Sequence, residues 1–277
     1  MATAESELYV RAFARGLSVI EALGDGGGRH SIAAVAARAG LPRSVARRLL
    51  MTLVEAGYAR YDQGEFWLTP RVLRLGLSYL YALPFWKQAQ RTLEELRQET
   101  GESCSMAVLD GEDIVYVLRI PSRRMLAMDL SVGSRLPAHA ISLGRVLLAG
   151  LDDAALAHYL RTAKLRPFTP KTVTAPAKLR QALYAVREQG YAWVEGELDE
   201  AICGIAVPVR DEHGQVVAAI NVSLNPAEFD EKTARKRFLA PLRRAAVQTR
   251  APMLDQHARA SARTTSAGTT GSRRAPR

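Results

Sequence analysis

The chain contains few cysteines and lacks long apolar runs. Cys104 and Cys203 are the only cysteines among its 277 residues, which argues against a disulfide-stabilised secreted fold. No stretch approaches the roughly 20 consecutive apolar residues that a membrane-spanning helix needs. The opening residues, MATAESELYV, do not place an apolar run after a basic region. We therefore expect no secretory signal, no membrane partner and a cytoplasmic location.

Motifs of common enzyme classes are also missing. There is no Gly-x-Gly-x-x-Gly run after a predicted strand, no phosphate-binding Gly-x-x-x-x-Gly-Lys-Ser/Thr loop and no Gly-x-Ser-x-Gly elbow. The five histidines are scattered and form no recognisable catalytic set. We predict neither an enzyme nor a cofactor. An enzyme that uses a C-terminal pocket remains an alternative.

A response to metal or oxidation is a further alternative. It would involve Cys104, Cys203 and His139, although no short spacing between ligands supports a metal site.

The net charge of +10 gives limited guidance about binding partners, because the excess lies near the C-terminal end. Of the 38 basic residues, 12 lie in residues 232–277 beside one acid, which leaves 26 basic and 27 acidic residues elsewhere. We predict that residues 255–277 form a disordered basic tail, because they contain too few large apolar side chains to form a core.

Residues 9–69 have the pattern of a winged helix-turn-helix domain. A first helix is predicted from about Tyr9 to Leu23, and its apolar stripe should face the core: Val10, Phe13, Leu17, Ile20 and Leu23. Ser31 is a suitable N-cap for a short second helix, and Gly40 suits the end of that helix. A third helix follows at about residues 42–56.

The third helix has the character of a DNA-recognition helix. Its buried face is predicted to be Val45, Ala46, Leu49, Leu50 and Leu53, so its arginines lie outside. A hairpin of Tyr58–Tyr61 and Glu65–Leu68 follows as a wing. A plain three-helix core with a solvated arginine face is the alternative, but the order of elements favours DNA binding. The predicted DNA-binding residues are Ser31, Arg43, Ser44, Arg47, Arg48 and Arg60.

Residues 70–82 are predicted to form a linker helix, and residues 83–254 a second domain. Within the latter, a charged amphipathic helix ends near residue 101. Strands are then expected at Ser103–Leu109, Asp113–Ile120, Met125–Leu130, Tyr191–Val194, Ile202–Arg210 and Val216–Leu224, with helices at about 141–150, 152–161, 176–189 and 228–249. Hairpin-linked strands beside long helices predict a mixed α/β chain of the α+β type.

The run from Leu136 to Gly144, LPAHAISLG, is the most informative part of this second domain. It leads from a strand end into a helix rich in small residues. Unpaired N–H groups at a helix start can hold a carboxylate. Ser142 adds a hydroxyl, and Gly144 permits the close approach of another element. An ordinary capped helix packed on the sheet is an equally good interpretation of these residues.

The chain resembles the IclR family of bacterial transcription regulators. The resemblance rests on FARGLSVIEAL, on SIAAVAARAGLPRSVARRLLMTLVEAGYARYD and on FWLTPRVLRLG, and it continues to Leu254. The run DLSVGSRLPAHAISLGRVLLA is similar to the family branch that controls aromatic-acid catabolism by the β-ketoadipate route. The resemblance implies a GAF-like effector domain, a homodimer or dimer of dimers, and a near-palindromic operator in double-stranded DNA.

The family's effector is a small organic acid bound at the start of the helix after residue 141. Matching the family pattern implies these effector-binding residues: Met106, Tyr116, Met128, Ile141, Ser142, Leu143, Glu195, Glu197, Cys203, Gly204, Asn221 and Ser223. The chain departs from the aromatic-acid branch at His139-Ala140-Ile141. It also lacks a basic residue before IAVPV, which an acid with two carboxylates would need. Arg119, Arg123, Arg124 and Arg135 are possible substitutes.

Overall fold

The computed structural model describes residues 8–83, 86–122 and 130–249. The predicted strand at residues 125–130 and the predicted tail at 255–277 lie outside these ranges, apart from Leu130, which is not in a strand. The chain divides into two compact units, with the division between Ala82 and Leu83. Among the described residues, none of the helices has the length and apolar character required to cross a membrane.

The first unit begins with three helices, which we number α1 (Arg11–Gly24), α2 (Ile32–Arg38) and α3 (Arg43–Glu55). Ser31 caps α2, because its hydroxyl accepts a hydrogen bond from the Ala34 amide at 3.3 Å. Pro42 precedes α3, where its fixed φ suits a helix start. The three helices pack around a small core of Val19, Leu23, Val35, Leu50 and Leu53.

The predicted inner face of α1 is wrong over most of its length. Phe13 and Leu17 were expected to be buried, but 69% and 44% of their surfaces are exposed. Val10, at the start of the predicted stripe, is 64% exposed. Leu23 is buried as predicted, and Val19 and Ala22 form the buried face with it. Only the second half of α1 packs on the core, so the apolar stripe of its first half faces outward.

A three-stranded sheet completes the winged helix-turn-helix. It consists of β1 (His30–Ser31), β2 (Ala59–Asp62) and β3 (Glu65–Leu68), in the order β1-β3-β2 with antiparallel neighbours. The turn between β2 and β3 has φ of 46° at Gln63 and 87° at Gly64. Such left-handed turns match the twist of the flanking strands. A short 3-10 turn (Pro70–Val72) and helix α4 (Leu73–Ala82) follow.

The second unit is built on a six-stranded sheet. Its strands are β4 (Ser103–Asp110), β5 (Asp113–Ile120), β6 (Arg135–Pro137), β7 (Ala192–Glu195), β8 (Cys203–Arg210) and β9 (Val216–Leu224). They lie in the order β6-β5-β4-β9-β8-β7, and every neighbouring pair is antiparallel. The predicted strands included no segment at β6, which is short and contains Pro137. Pairing with β5 holds β6 on the edge of the sheet.

Helices pack beside this sheet. They are α5 (Trp86–Thr100), α6 (Ser142–Ala149), α7 (Asp153–Thr162), α8 (Pro176–Gln189) and α9 (Glu231–Thr249), and a 3-10 turn at Ala138–Ala140 leads into α6. All residues of α6 are buried, so it is the central helix of this unit. The mixed α+β architecture predicted from the sequence is confirmed.

The 3-10 turn lies directly against α6 at Gly144. A Cβ placed on Gly144 would come within 2.5 Å of three backbone atoms of Ala138. Backbone atoms cannot move aside as the end of a flexible side chain can. Glycine is therefore required here for packing, because any larger residue would push residues 138–140 away from the helix.

This contact generates a prediction about stability. Gly144→Ala should lower the free energy of unfolding by at least about 1–3 kcal/mol, because it forces a methyl group into a closed backbone contact. Urea unfolding followed by circular dichroism would measure the loss. Gly76→Ala is the control, because a Cβ at Gly76 in α4 meets no atom within 4 Å. That change should be neutral or stabilising, since alanine favours helix. Equal losses in both variants would contradict the packing argument.

Candidate DNA interface and effector pocket

The predicted DNA-binding residues of the first unit are all exposed, and four of the six line one groove. Arg43, Ser44, Arg47 and Arg48 are all exposed on α3, while Ala46, Leu50 and Leu53 point into the core. A groove joins the start of α3 to the start of α2 and to Gly64 in the β2–β3 turn. Its lining includes Ser31, Arg43, Ser44 and Arg47. Arg60 is exposed on β2.

Two other arginines, Arg29 and Arg38, stabilise the first unit through side-chain contacts that the sequence analysis did not predict. Arg29 places its guanidinium 4.1 Å from the centre of the Trp67 ring and 3.7 Å from the Asp62 carboxylate, so it braces the β2–β3 hairpin. Arg38 donates to the carbonyl oxygens of Ala22 and Asp25, which ties α2 to the end of α1. These contacts hold the wing and α1 around α3.

The second unit contains a pocket between the sheet and the start of α6. Nine of the twelve predicted effector-binding residues line it: Tyr116, Ile141, Ser142, Leu143, Glu197, Cys203, Gly204, Asn221 and Ser223. The remaining wall is mostly apolar and comes from Leu130, Leu136, Ala140, Val194, Leu198 and Ile202. A small, largely apolar molecule would be in contact with protein on several sides.

The start of α6 provides an electropositive end to this pocket. Ile141 is the N-cap and no side chain caps the helix. The first-turn amides of Ser142 and Leu143 have no partner within the helix, and the helix dipole adds partial positive charge there. Since both residues line the pocket, this end suits a carboxylate.

An unpartnered acceptor lies at another point of the wall. Asn221 is 5% exposed, and its Nδ2 donates to the Ser223 hydroxyl at 3.2 Å. Its Oδ1 is buried and accepts no hydrogen bond from a described residue. A buried acceptor without a donor is costly. Asn221 also lines the pocket, and pairing its Oδ1 would require the side chain to turn toward a donor on a bound molecule.

Gly204 leaves room beside Asn221 and Ser223, which together form a polar corner of the pocket. It lies opposite Ser223 in the β8–β9 pairing, and a Cβ on it would stand 3.0 Å from the Ser142 hydroxyl and 3.6 Å from Asn221 Nδ2. Tyr116 lies elsewhere on the wall, and burial raises its pKa to about 12. Its phenol thus stays protonated at neutral pH and can donate a hydrogen bond.

Glu197 lines the pocket but is already paired with a buried arginine that the sequence analysis missed. The Arg145 guanidinium donates to Glu197 Oε2 at 2.7 Å and to the carbonyl oxygen of His139. The Val173 amide donates to the same carboxylate oxygen at 3.0 Å. Burial lowers the pKa of Arg145, and Glu197 opposes that effect. A single arginine in the apolar helix SLGRVLLA was the sequence signal that could have revealed this pair.

Of the other three predicted effector residues, the two that the structure describes do not line the pocket. Met106 is fully buried in β4 and does not line the pocket. Glu195 is likewise outside it and pairs with Lys171 at 3.1 Å. Met128 lies outside the described residues, as do Arg123 and Arg124.

The remaining arginines considered as cationic partners are engaged elsewhere. Arg119 donates to the Ser105 hydroxyl, and Arg135 pairs with Asp110 and Asp113. None of the described residues that line the pocket is a lysine or an arginine.

The two cysteines are poorly suited to redox chemistry. Both are free and buried. Burial raises the pKa of each thiol to about 12, so almost no thiolate forms at neutral pH. Within the described ranges, no group of three His, Cys, Asp or Glu side chains could hold a metal ion. Cys203 is among the residues that line the pocket, and its thiol lies 3.9 Å from the Phe229 carbonyl oxygen.

A winged helix-turn-helix with exposed arginines, followed by a unit with a small-molecule pocket, defines a ligand-responsive DNA-binding protein. Family models agree with this class in both parts. The IclR helix-turn-helix domain matches residues 12–63, and the bacterial transcriptional regulator IclR C-terminal domain matches residues 77–251. The chain belongs to the IclR family of bacterial transcription regulators, whose characterised relatives are regulators and not enzymes.

The chain is similar to regulators of aromatic-acid metabolism. It is 40% identical to the Pca regulon regulatory protein of Pseudomonas putida, over 83% of this chain and 80% of that protein. It is 38% identical to the p-hydroxybenzoate hydroxylase transcriptional activator of Acinetobacter baylyi, over 78% and 82%. A solved IclR homologue from Microbacterium hydrocarbonoxydans, complexed with 4-hydroxybenzoate, has a TM-score of 0.76 and 30% identity, and the match covers 86% of this chain and 97% of that one.

The buried ion pair of Arg145 and Glu197 should contribute strongly to the stability of the second unit. Arg145→Ala leaves a buried carboxylate without its cation, and should lower the free energy of unfolding by about 3–5 kcal/mol. Arg135→Ala is the matched control, because its ion pairs are about half exposed. Exposed pairs contribute roughly 0–1 kcal/mol. Urea unfolding of both variants would compare them, and similar losses would mean that the buried pair has no special structural role.

Proposed function

We propose that this regulator binds a small aromatic monocarboxylic acid in the pocket at the start of α6, and that this binding changes its affinity for DNA. The solved IclR homologue complexed with 4-hydroxybenzoate and the two aromatic-acid regulators support the ligand class. The pocket supports it independently, because an apolar wall meets an uncapped helix start. The carboxylate would accept hydrogen bonds from the amides of Ser142 and Leu143.

The polar corner of the pocket restricts the class of aromatic acid that fits. The buried Oδ1 of Asn221 needs a donor, which a ring hydroxyl supplies and an unsubstituted ring does not. A second carboxylate would find no lysine or arginine on the described part of the wall, and Glu197 would repel it. A hydroxylated aromatic acid with one carboxylate therefore fits better than a dicarboxylic acid. The unpartnered Asn221 acceptor is the observation that carries this proposal.

On the DNA side, the exposed residues of the first unit would contact base edges and phosphates. We propose the set Ser31, Arg43, Ser44, Arg47, Arg48 and Arg60. The N-terminal half of α3 would enter the major groove, and Arg60 on the wing would contact phosphate. The regulator would bind a near-palindromic operator as a homodimer or dimer of dimers, in the cytoplasm.

Exposed apolar side chains support the dimer. Phe13 and Leu17 on α1, and Leu73, Leu77 and Tyr81 on α4, are 37% to 69% exposed. A second copy could cover these faces. Regulation then follows from linkage: the acid must bind the DNA-competent and incompetent states with different affinity. A coupling of about 1–3 kcal/mol would change DNA affinity roughly 5- to 150-fold.

Arg47→Ala should weaken binding to the regulator's own upstream DNA by at least about tenfold, because it removes a base- or phosphate-contacting guanidinium from α3. Fluorescence anisotropy at fixed salt, with nonspecific competitor DNA, would measure this. Arg180→Ala on α8 removes the same charge from an exposed position in the other unit and should change little. Normal operator binding by the Arg47→Ala protein would remove this arginine from the interface.

Asn221→Leu should abolish discrimination between 4-hydroxybenzoate and benzoate. In the wild-type protein we expect about tenfold tighter binding of the hydroxylated acid, because only that ligand satisfies Asn221 Oδ1. The variant has no acceptor to satisfy and should bind the two acids alike. Isothermal titration would give both affinities.

Met106→Leu is the control for the Asn221 variant, because Met106 is buried in the neighbouring strand but does not line the pocket. It should keep the wild-type preference. Equal affinities for the two acids in wild-type protein would contradict the role given to Asn221. Absence of any binding by aromatic acids would contradict the proposed ligand class.

A further inference from the structure

A second cleft lies across the 3-10 turn from the effector pocket. Its lining comprises Glu112, Asp113, Pro137, His139, Tyr159, Lys164, Arg166 and Phe168, and with its mouth it encloses about 860 Å³. The segment from Leu136 to Ile141 separates the two spaces. Leu136, Ala140 and Ile141 line the effector pocket, whereas Pro137 and His139 line the cleft.

The charged side chains of the cleft differ in whether they already have hydrogen-bonding or ionic partners. Its two acids already have partners: Glu112 Oε2 accepts the Lys164 amide at 3.0 Å, and Asp113 pairs with Arg135 at 3.4 Å. The charged ends of Lys164 and Arg166 have no hydrogen-bonding or ionic partner among the described residues. Lys164 and Arg166 therefore offer unpaired N–H donors to an anion, while Glu112, whose partner is a neutral backbone amide, keeps its negative charge nearby.

Two aromatic rings line another part of the cleft. The rings of His139 and Phe168 lie 5.9 Å apart between centroids, with an angle of 34° between their planes. His139 Nε2 lies 3.1 Å from the carbonyl oxygen of Arg166, so this nitrogen carries the proton. Burial lowers the pKa of His139, which keeps the ring neutral near pH 7. Phe168 is 43% exposed and can cover a planar ligand.

We propose that this cleft is a second binding site for a small organic anion, a carboxylate with a flat apolar body. Lys164 and Arg166 hold the carboxylate, and Phe168 packs on the body. The site is separate from the effector pocket, because the residues that line the two spaces are different.

Hydrogen bonds also connect the two spaces. His139 lines the cleft, and its carbonyl oxygen accepts from Arg145. Arg145 in turn holds the carboxylate of Glu197, which lines the effector pocket. An anion in the cleft would thus contact a segment whose other side forms the effector pocket.

The test is isothermal titration of the full-length protein with benzoate, at constant ionic strength. We expect two sites per chain in the wild type. The double variant Lys164→Ala/Arg166→Ala should lose the cleft site, with its affinity reduced at least about tenfold. The matched control is Lys178→Ala/Arg180→Ala, which removes the same two charges from the exposed side of α8 and should keep both sites.

Two further binding measurements identify the site and the chemical class of its ligand. Gly204→Val would fill the effector pocket beside Ser142, so the site that remains in that variant should be the one lost on changing Lys164 and Arg166. Inorganic phosphate, which has no apolar body, should compete only weakly with benzoate, and Phe168→Ala should remove the preference for benzoate.

Different results would separate the two proposals. A single site that survives the Lys164→Ala/Arg166→Ala change would overturn the cleft proposal. An equal loss in the α8 control would also overturn it, because general charge would then explain the binding. A single site that persists in Gly204→Val and disappears on changing Lys164 and Arg166 would support the cleft, and would count against benzoate in the effector pocket.

Discussion

The close contact between the 3-10 turn and the start of α6 is the constraint on which the second unit depends. Gly144 has no side chain, so the backbone of Ala138 can lie against the helix. Arg145, the next residue, holds the turn through the His139 carbonyl and holds the pocket wall through Glu197. The effector pocket and the second cleft both use this turn as a wall. The backbone of residues 138–140 therefore helps to shape both the effector pocket and the second cleft.

We propose that the pocket binds an acid although none of its described lining residues is a lysine or an arginine. Among the described residues, the buried Arg145 near the pocket is neutralised by Glu197, so the helix start would provide the positive end. A helix start offers directed N–H donors, which suit one carboxylate better than two. In the proposed mode of binding, selectivity among monoacids depends on Asn221, because a buried acceptor without a donor penalises every ligand that cannot supply one.

DNA binding and effector binding are assigned to different units of the chain. The first unit presents arginines on α3 and braces its wing through Arg29, Asp62 and Trp67. The second unit encloses its pocket between the sheet and α6. Ligand control of DNA binding requires the units to respond to one another, and a second anion site on the shared turn would allow two small molecules to influence the same pocket.

The order of elements could be predicted from the sequence, because caps, turns and periodicity are local properties. The nine predicted effector-binding residues that line the pocket were implied instead by the family resemblance. Local pattern also suggested that Phe13 and Leu17 are buried, yet burial depends on what packs against a helix, and only the second half of α1 meets the core. The partnership of Arg145 with Glu197 joins residues 52 positions apart. Only the tertiary structure could pair them, or leave Asn221 Oδ1 without a donor, because both depend on distances between elements remote in sequence.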